Sequence, residues 1–180
     1  MKWPSKEELN SIDMQEVLNR TPDEDEFKVY IKEPAGKEHY RLLVWLGYQC
    51  YFGSLVEVGV YKGLSGCALS LNNKNKVTGF DLVDNITCNL PSNYTYIIGD
   101  ILLNDRLLKQ SPFVLYDTNH DGVHEKLFYD WLVKINYKGL ILFDDIRLNP
   151  EMVAFWESIT HKKEDISSIG HITGTGAVWM

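Results

Sequence analysis

The sequence predicts an α/β fold: a doubly wound, mostly parallel sheet whose last strand runs antiparallel. Two observations carry this. Short apolar runs alternate with stretches of helical periodicity, the pattern of parallel strands joined by crossover helices. After them come two strand-like runs separated by a short Gly/Thr turn. That connection is too short for a parallel crossover, so these strands pair antiparallel. A chain of 180 residues suits one domain with at most a short appendage. It can bury a sizeable core without a disulfide staple or structural metal.

The elements follow in order. Residues 1–35 are polar and acidic, and read as an N-terminal helical appendage packed outside the main domain. Ser5-Lys6-Glu7-Glu8 has capping-box spacing, and Leu9, Ile12, Val17 and Leu18 form a loose apolar stripe. Thr21-Pro22 is a break, and Asp23-Glu24-Asp25-Glu26 suits a helix start, though such a run is usually a solvated face. From Gly36 to Gln49 a helix carries Tyr40, Leu42, Leu43, Trp45, Leu46 and Tyr48. The first strand is Leu55–Val60, with a helix over Ser65–Leu71. Further strands are read at Lys76–Asp81, Tyr94–Asp100, Phe113–Asp117 and Gly139–Asp144. Between the last two, Val123–Ile135 places Leu127, Trp131, Leu132 and Ile135 at helical spacing. The tail strands are Asp165–His171 and Gly176–Met180. The main domain is therefore 36–180.

Composition narrows the function. A net charge of −7 and a pI near 5.2 argue against a nucleic-acid binder or docking on an anionic membrane, both of which need clustered Lys and Arg. Cys50, Cys67 and Cys88 form no CxxC or His/Cys cluster, so a reducing, cytoplasmic setting is expected. The N-terminus has no apolar h-region, and no apolar run reaches membrane-spanning length.

Most strands end in an acidic residue or a glycine. In an open α/β sheet the ligand crevice lies beyond the carboxyl ends of the strands. Glu57, Asp81, Asp100, Asp117, Asp144 and Asp145 should therefore line one edge. Such a row suits a ligand with hydroxyls, positive charge or a metal. The first turn, Glu57-Val58-Gly59-Val60-Tyr61-Lys62-Gly63-Leu64-Ser65, lets backbone approach a ligand at two glycines. It would serve equally as a tight strand-to-helix connection with no ligand. Neither GxGxxG nor GxxxxGK[ST] is present, which disfavours a pyrophosphate.

Residues 57–65 resemble motif I of the class I S-adenosylmethionine (SAM) dependent methyltransferases, in the ExGxYxGxS form of the catechol O-methyltransferase-like branch. Asp81, Gly99-Asp100-Ile101, Asp117-Thr118-Asn119-His120-Asp121-Gly122 and Tyr137-Lys138-Gly139…Asp144-Asp145 resemble the later motifs in the same order. Tyr137-Lys138-Gly139 departs from the usual Pro-Gly-Gly, a turn variation away from the site. The resemblance spans about residues 40–180 and implies a seven-stranded Rossmann-like sheet. It implies a SAM site at Glu57, Gly59, Tyr61, Gly63, Ser65, Asp81, Asp100, Ile101 and Asp117. Tyr61 would cover the methionine part and Ser65 would bond its carboxylate. It also implies Mg²⁺ or Mn²⁺ at Asp117, Asp144 and Asp145, although Asp144-Asp145 would serve equally as a helix cap. An acidic pocket suits the sulfonium of SAM, and methyl transfer asks mainly for alignment of a deprotonated oxygen.

Asp117 and His120 are the proton-handling candidates; imidazole titrates near working pH. His120 could instead stack on the cofactor or lie exposed. His124 reads as an ordinary helix residue; His171, in the penultimate strand, could reach the acceptor side but reads as packed or superficial. Trp45, Phe113, Phe128, Trp131, Phe143 and Phe155 read as core. The expected activity is SAM-dependent O-methyl transfer. Asp-Thr after the fourth strand and Asp-Asp after the fifth resemble the sugar O-methyltransferases, so the expected acceptor is a hydroxyl of a glycan or glycoside, such as a deoxyhexose. The alternatives are a catechol or other phenol acceptor, a nicotinamide-dependent oxidoreductase, and a non-catalytic SAM-binding module. Little sequence remains for a lid, so an open acceptor site is expected. The stop at Met180 hints at one catalytic domain of a longer protein.

Overall fold

The computed structural model describes residues 2–33, 36–50 and 53–180. Two short helices, α1 (Lys6–Asn10) and α2 (Gln15–Arg20), and a 3₁₀ turn at Glu26–Ile31 precede α3 (Lys37–Gln49). Then follow β1 (Ser54–Val58), α4 (Leu64–Leu69), β2 (Lys76–Asp81), β3 (Tyr94–Ile98) and a 3₁₀ turn at Ile101–Leu103. α5 (Asp105–Gln110), β4 (Phe113–Tyr116), α6 (Val123–Lys134) and β5 (Leu140–Asp144) come next. α7 (Pro150–Ser158), β6 (Lys162–Asp165) and β7 (Thr175–Trp179) complete the described elements. No helix among the described residues is long and apolar enough to cross a membrane.

The seven strands form one sheet in the order β3-β2-β1-β4-β5-β7-β6. β1 pairs in parallel with β2 and β4, β2 with β3, and β4 with β5; β7 runs antiparallel to both β5 and β6. The order reverses between β1 and β4, so the switch-point crevice opens there. The central strands are apolar on both faces because both are covered. Leu55, Val77, Leu115, Leu142 and Ala177 face one core, with α3 and α4. Val56, Phe80, Val114, Ile141 and Phe143 alternate to the other, with α6 and α7. The N-terminal segment adds Leu9, Met14, Val17 and Ile31 to the first core, all nearly solvent-free. Trp3 packs its ring on Trp45 and Trp179. Of the expected core aromatics, Phe113, Phe128, Phe143 and Phe155 are buried, while Trp45 and Trp131 pack at the margins.

One expectation is corrected, one residue of an expected helix turns outward, and two helices are added. The penultimate strand is Lys162–Asp165, upstream of 165–171. Asp165 accepts from the backbone N–H and hydroxyl of Ser167, and Ile169 N–H bonds Ile166 carbonyl, which closes a turn where a strand was expected. Every residue of β6 is charged, so it carries no apolar alternation, as suits a protected sheet edge. Leu127 belongs to the helical stripe of α6 but is 57% exposed, because the stripe's upper end overhangs the crevice and not the core. Finally, α5 and α7 were not expected. α7 had a signal: Asn149 caps it by accepting from Met152 N–H, and Pro150 sits in its first turn.

Candidate active site

A cleft of about 940 Å³ opens at the carboxyl ends of β1, β2, β4 and β5. Its floor is the turn after β1. Gly59 has φ +84°, and a Cβ there would lie 1.6 Å from the carbonyl oxygen of Asp117, so only glycine lets the two strand ends meet. Asp81 Oδ2 accepts from the N–H groups of Val60 and Tyr61, at 2.9 and 2.8 Å, and Oδ1 from Val83 N–H at 3.2 Å. Asp81 thus pins the glycine turn and keeps one acceptor position over, since a carboxylate offers about four. Asp100 caps the turn at Ile101 through Leu102 N–H and lies beside the cleft with Gly99 and Ile101.

Tyr61 has φ +47° and is half exposed, its ring edge-on to Phe27. With Tyr30 these aromatics wall one side of the mouth. Ser65 lies in the first turn of α4. Glu57 and Gly63 lie beneath the turn and not in the cleft wall. Glu57 is fully buried and accepts from Tyr94 hydroxyl at 2.5 Å. Burial pushes its carboxyl up to about 7; hydrogen bonds from Ser65 and Tyr94 pull it back, while Asp117 and Asp81 push it further.

At the other side the strand ends bring Asp117, His120, Asp144 and Asp145 together. The loop after β4 is held rigidly. Buried Glu125 accepts from His120 N–H at 3.0 Å and from Thr118 hydroxyl at 3.3 Å, and Asn149 donates to His120 carbonyl at 2.7 Å. These supports keep His120 at φ +54°, its Nε2 3.0 Å from Asp117 Oδ1. Burial alone would lower the His120 pKa. The bond to Asp117 and the charges of Asp117, Asp145 and Asp144 outweigh it and raise it to about 9, so His120 is an imidazolium at neutral pH. His124, by contrast, pairs with Asp121 in solvent at the cleft rim.

Asp144 is buried and held well above the carboxylate range by that burial and by Asp117 and Asp145. Burial works the same way on Asp145, but bonds from His171 and Thr173 dominate and lower it. His171 takes the alternative place the sequence left open to it, in the cleft, with Nδ1 2.8 Å from Asp145 Oδ1. Burial opposes its charge, but the bond to Asp145 prevails and raises its pKa. His39 carries no signal in the sequence. It sits on an apolar helix, where a lone histidine looks like core, yet α3 turns it into the cleft 3.5 Å from Asp144 Oδ1. Burial, then His171, lowers its pKa to about 4, so this pair is a neutral imidazole beside a carboxyl and not a salt bridge.

Two sets of three ligand atoms lie within 4.8 Å of one another among the described residues: Asp117, His120 and Asp144, and Asp144, Asp145 and His171. Asp117, Asp144 and Asp145 do not form such a set by themselves. Each set includes an imidazole, so the donors fit a divalent cation with mixed nitrogen and oxygen ligands better than all-oxygen Mg²⁺.

Neither a protein-family model nor a curated protein matches the sequence. Solved structures do match the fold. The cofactor-bound Rv0187 from MTB is 16% identical with a TM-score of 0.59, over 78% of each chain. The SAH-bound methyltransferase PaMTH1 of Podospora anserina is 12% identical with a TM-score of 0.56, over 100% of this chain and 99% of that one. An O-methyltransferase from Bacillus cereus in complex with SAH is 15% identical with a TM-score of 0.56, over 98% and 92%. The chain has the Rossmann-like fold seen in these methyltransferase structures.

Proposed function

We propose that this protein transfers the methyl group of SAM to a hydroxyl oxygen, and that the hydroxyl belongs to a sugar. The observation that carries the reading is the contact of Gly59 with Asp117 at the switch point. It leaves a bare backbone floor under a cleft walled by carboxylates, and structures of this fold hold SAH or another cofactor. In this reading the remaining acceptor position of Asp81 takes a ribose hydroxyl, and Asp100 and Ile101 border the adenine. Tyr61 covers the methionine part and Ser65 bonds its carboxylate. Asp117 faces the sulfonium across the glycine turn.

The acceptor then enters between the aromatic wall and the His/Asp cluster. Phe27, Tyr30 and Tyr61 offer flat faces for the C–H side of a sugar ring, and Asp117, Asp145 and His171 offer partners for its hydroxyls. His120 holds its proton against Asp117. The positive charge of bound SAM competes for the same carboxylates, lowers the imidazolium pKa and frees His120 to accept the hydroxyl proton. Glu125 and Asn149 keep it on station. Divalent-cation assistance is part of the proposal: a cation held at Asp144 and Asp145 would lower the pKa of a hydroxyl coordinated to it.

Calorimetric titration with SAM and with SAH tests the cofactor reading, and methyl transfer to glycosides and catechols tests the acceptor. Binding of SAH followed by transfer to a sugar supports the proposal. Transfer to catechols alone replaces the acceptor, and failure of both SAM and SAH to bind refutes the whole.

A further inference from the structure

The charges of this chain segregate by sheet end. Strands β1 to β5 run parallel, so their amino ends all lie opposite the cleft. β6 starts at that same end: Lys162 stands across from Trp179, and Trp179 from Leu140 at the start of β5. Lys74 and Lys76 precede and open β2, and Lys109 lies in the last turn of α5 ahead of β4. Lys134 and Lys138 flank the turn into β5, and Lys162 opens β6. All six lysines are exposed. Among the described residues, the connections at this end (70–75, 90–93, 111–112, 135–139 and 159–161) hold no Asp or Glu. The lysines that pair with carboxylates, Lys28, Lys37, Lys62 and Lys126, belong to the cleft end.

Aromatic rings accompany this basic row. Lys134 Nζ lies 4.6 Å from the centre of the Trp131 ring, and Lys162 Nζ 4.9 Å from that of Trp179; both rings are only partly buried. Tyr48, in the last turn of α3, is half exposed at the same end. From β2 to β6 the row crosses five strand spacings, about 24 Å. Ammonium groups on long stems beside rings with one wet edge suit the headgroup level of a bilayer. The net charge of −7 does not oppose this. Screening limits the reach of a charge to about 8 Å at physiological salt, and β5 alone, five residues long, separates the two ends by about 16 Å.

We propose that the amino-end face of the sheet docks on an anionic lipid bilayer, with Lys76, Lys109, Lys134, Lys138 and Lys162 against the headgroups. The cleft then faces away from the bilayer and takes its ligands from the aqueous side. This inference does not depend on the methyltransferase reading.

The test sediments the full chain with vesicles of phosphatidylcholine alone and of phosphatidylcholine mixed with phosphatidylserine. The phosphatidylserine vesicles should bind the chain at least about tenfold more tightly, and added salt should weaken that binding. Each lysine near such a surface is worth about fivefold, so Lys109→Gln combined with Lys138→Gln should lose about twentyfold. Lys126→Gln, at the cleft end, should lose less than about twofold. Melting curves check that the variants fold, and Lys76→Gln combined with Lys162→Gln serves as a second pair. Absence of binding to phosphatidylserine vesicles, or equal binding to both kinds, overturns the proposal. So does a loss in Lys126→Gln equal to that in a folded double variant. Binding to polyuridylate without binding to vesicles overturns it too, and makes the face a nucleic-acid surface.

Discussion

Replacing Tyr94 with Phe removes one oxygen and tests how the cofactor floor is supported. The Tyr94 hydroxyl donates to Glu57 Oε2 at 2.5 Å, and both residues are buried. Glu57 Oε1 already has no partner, so the substitution leaves Ser65 as the remaining donor to this carboxyl. A Cβ at Gly79 would lie 1.7 Å from that oxygen, and one at Gly66 would lie 2.4 Å from the ring, so Tyr94 sits closely against backbone that only glycine leaves open. Leaving a buried acceptor unsatisfied costs about 2 kcal/mol. For a chain of this size that lowers the melting temperature by about 4–8 °C.

The cost should also depend on pH. Glu57 titrates near 7 in the folded protein against an ordinary value of 4.5, so its contribution is present below 4.5 and fades as pH rises through 7. Tyr94 stabilises the ionised form, so Tyr94→Phe should be more destabilising at about pH 8 than at about pH 5, where neutral Glu57 needs less help. Urea unfolding at both values measures this. A loss under about 0.5 kcal/mol, the level of an ordinary surface change, would refute the reasoning. A loss equal at both pH values would refute the assignment to Glu57.

Other outcomes follow from the same geometry. Gly59→Ala should weaken SAH binding by more than about tenfold, or about 1.4 kcal/mol, because its Cβ would force the ends of β1 and β4 apart; calorimetry reads this directly. In metal-free buffer the His120–Asp117 pair should add stability that is fully present below pH 6.5 and lost as pH rises through about 9. Urea midpoints of Asp117→Asn should lack that slope. Trp3→Ala should cost about 2–4 kcal/mol in thermal unfolding, since Trp3 packs on Trp45 and Trp179 and donates to Glu164. A neutral result there would mean that the N-terminal segment is a separable appendage.

The centre of the sheet is legible in the sequence because β4 and β5 are buried along their whole length and read as apolar runs, with β1 broken only by Glu57. β6 is not, because Lys162-Lys163-Glu164-Asp165 suits an exposed edge and carries no apolar signal. α7 is legible in principle through Asn149-Pro150, but its apolar stripe is too short to stand out. The strand-end carboxylates can be found because strand ends are where a doubly wound sheet places its ligand. His39, Glu125 and Asn149 cannot, because their roles depend on which way a helix face turns and on which loop it meets. No spacing along the chain records that α3 brings His39 to Asp144, 105 residues away in sequence (144 − 39). Glu57 shows the opposite case: the motif singles it out, and the structure puts it under the floor with Tyr94 and Ser65.

The most direct test of the account is calorimetric titration of the chelator-treated full chain with SAH, beside Gly59→Ala and a nicotinamide dinucleotide control. The account predicts saturable one-to-one binding of SAH, strong loss of it in Gly59→Ala, and no heat from the dinucleotide. Absence of SAH binding to the folded wild-type chain, or binding of the dinucleotide in its place, would contradict it.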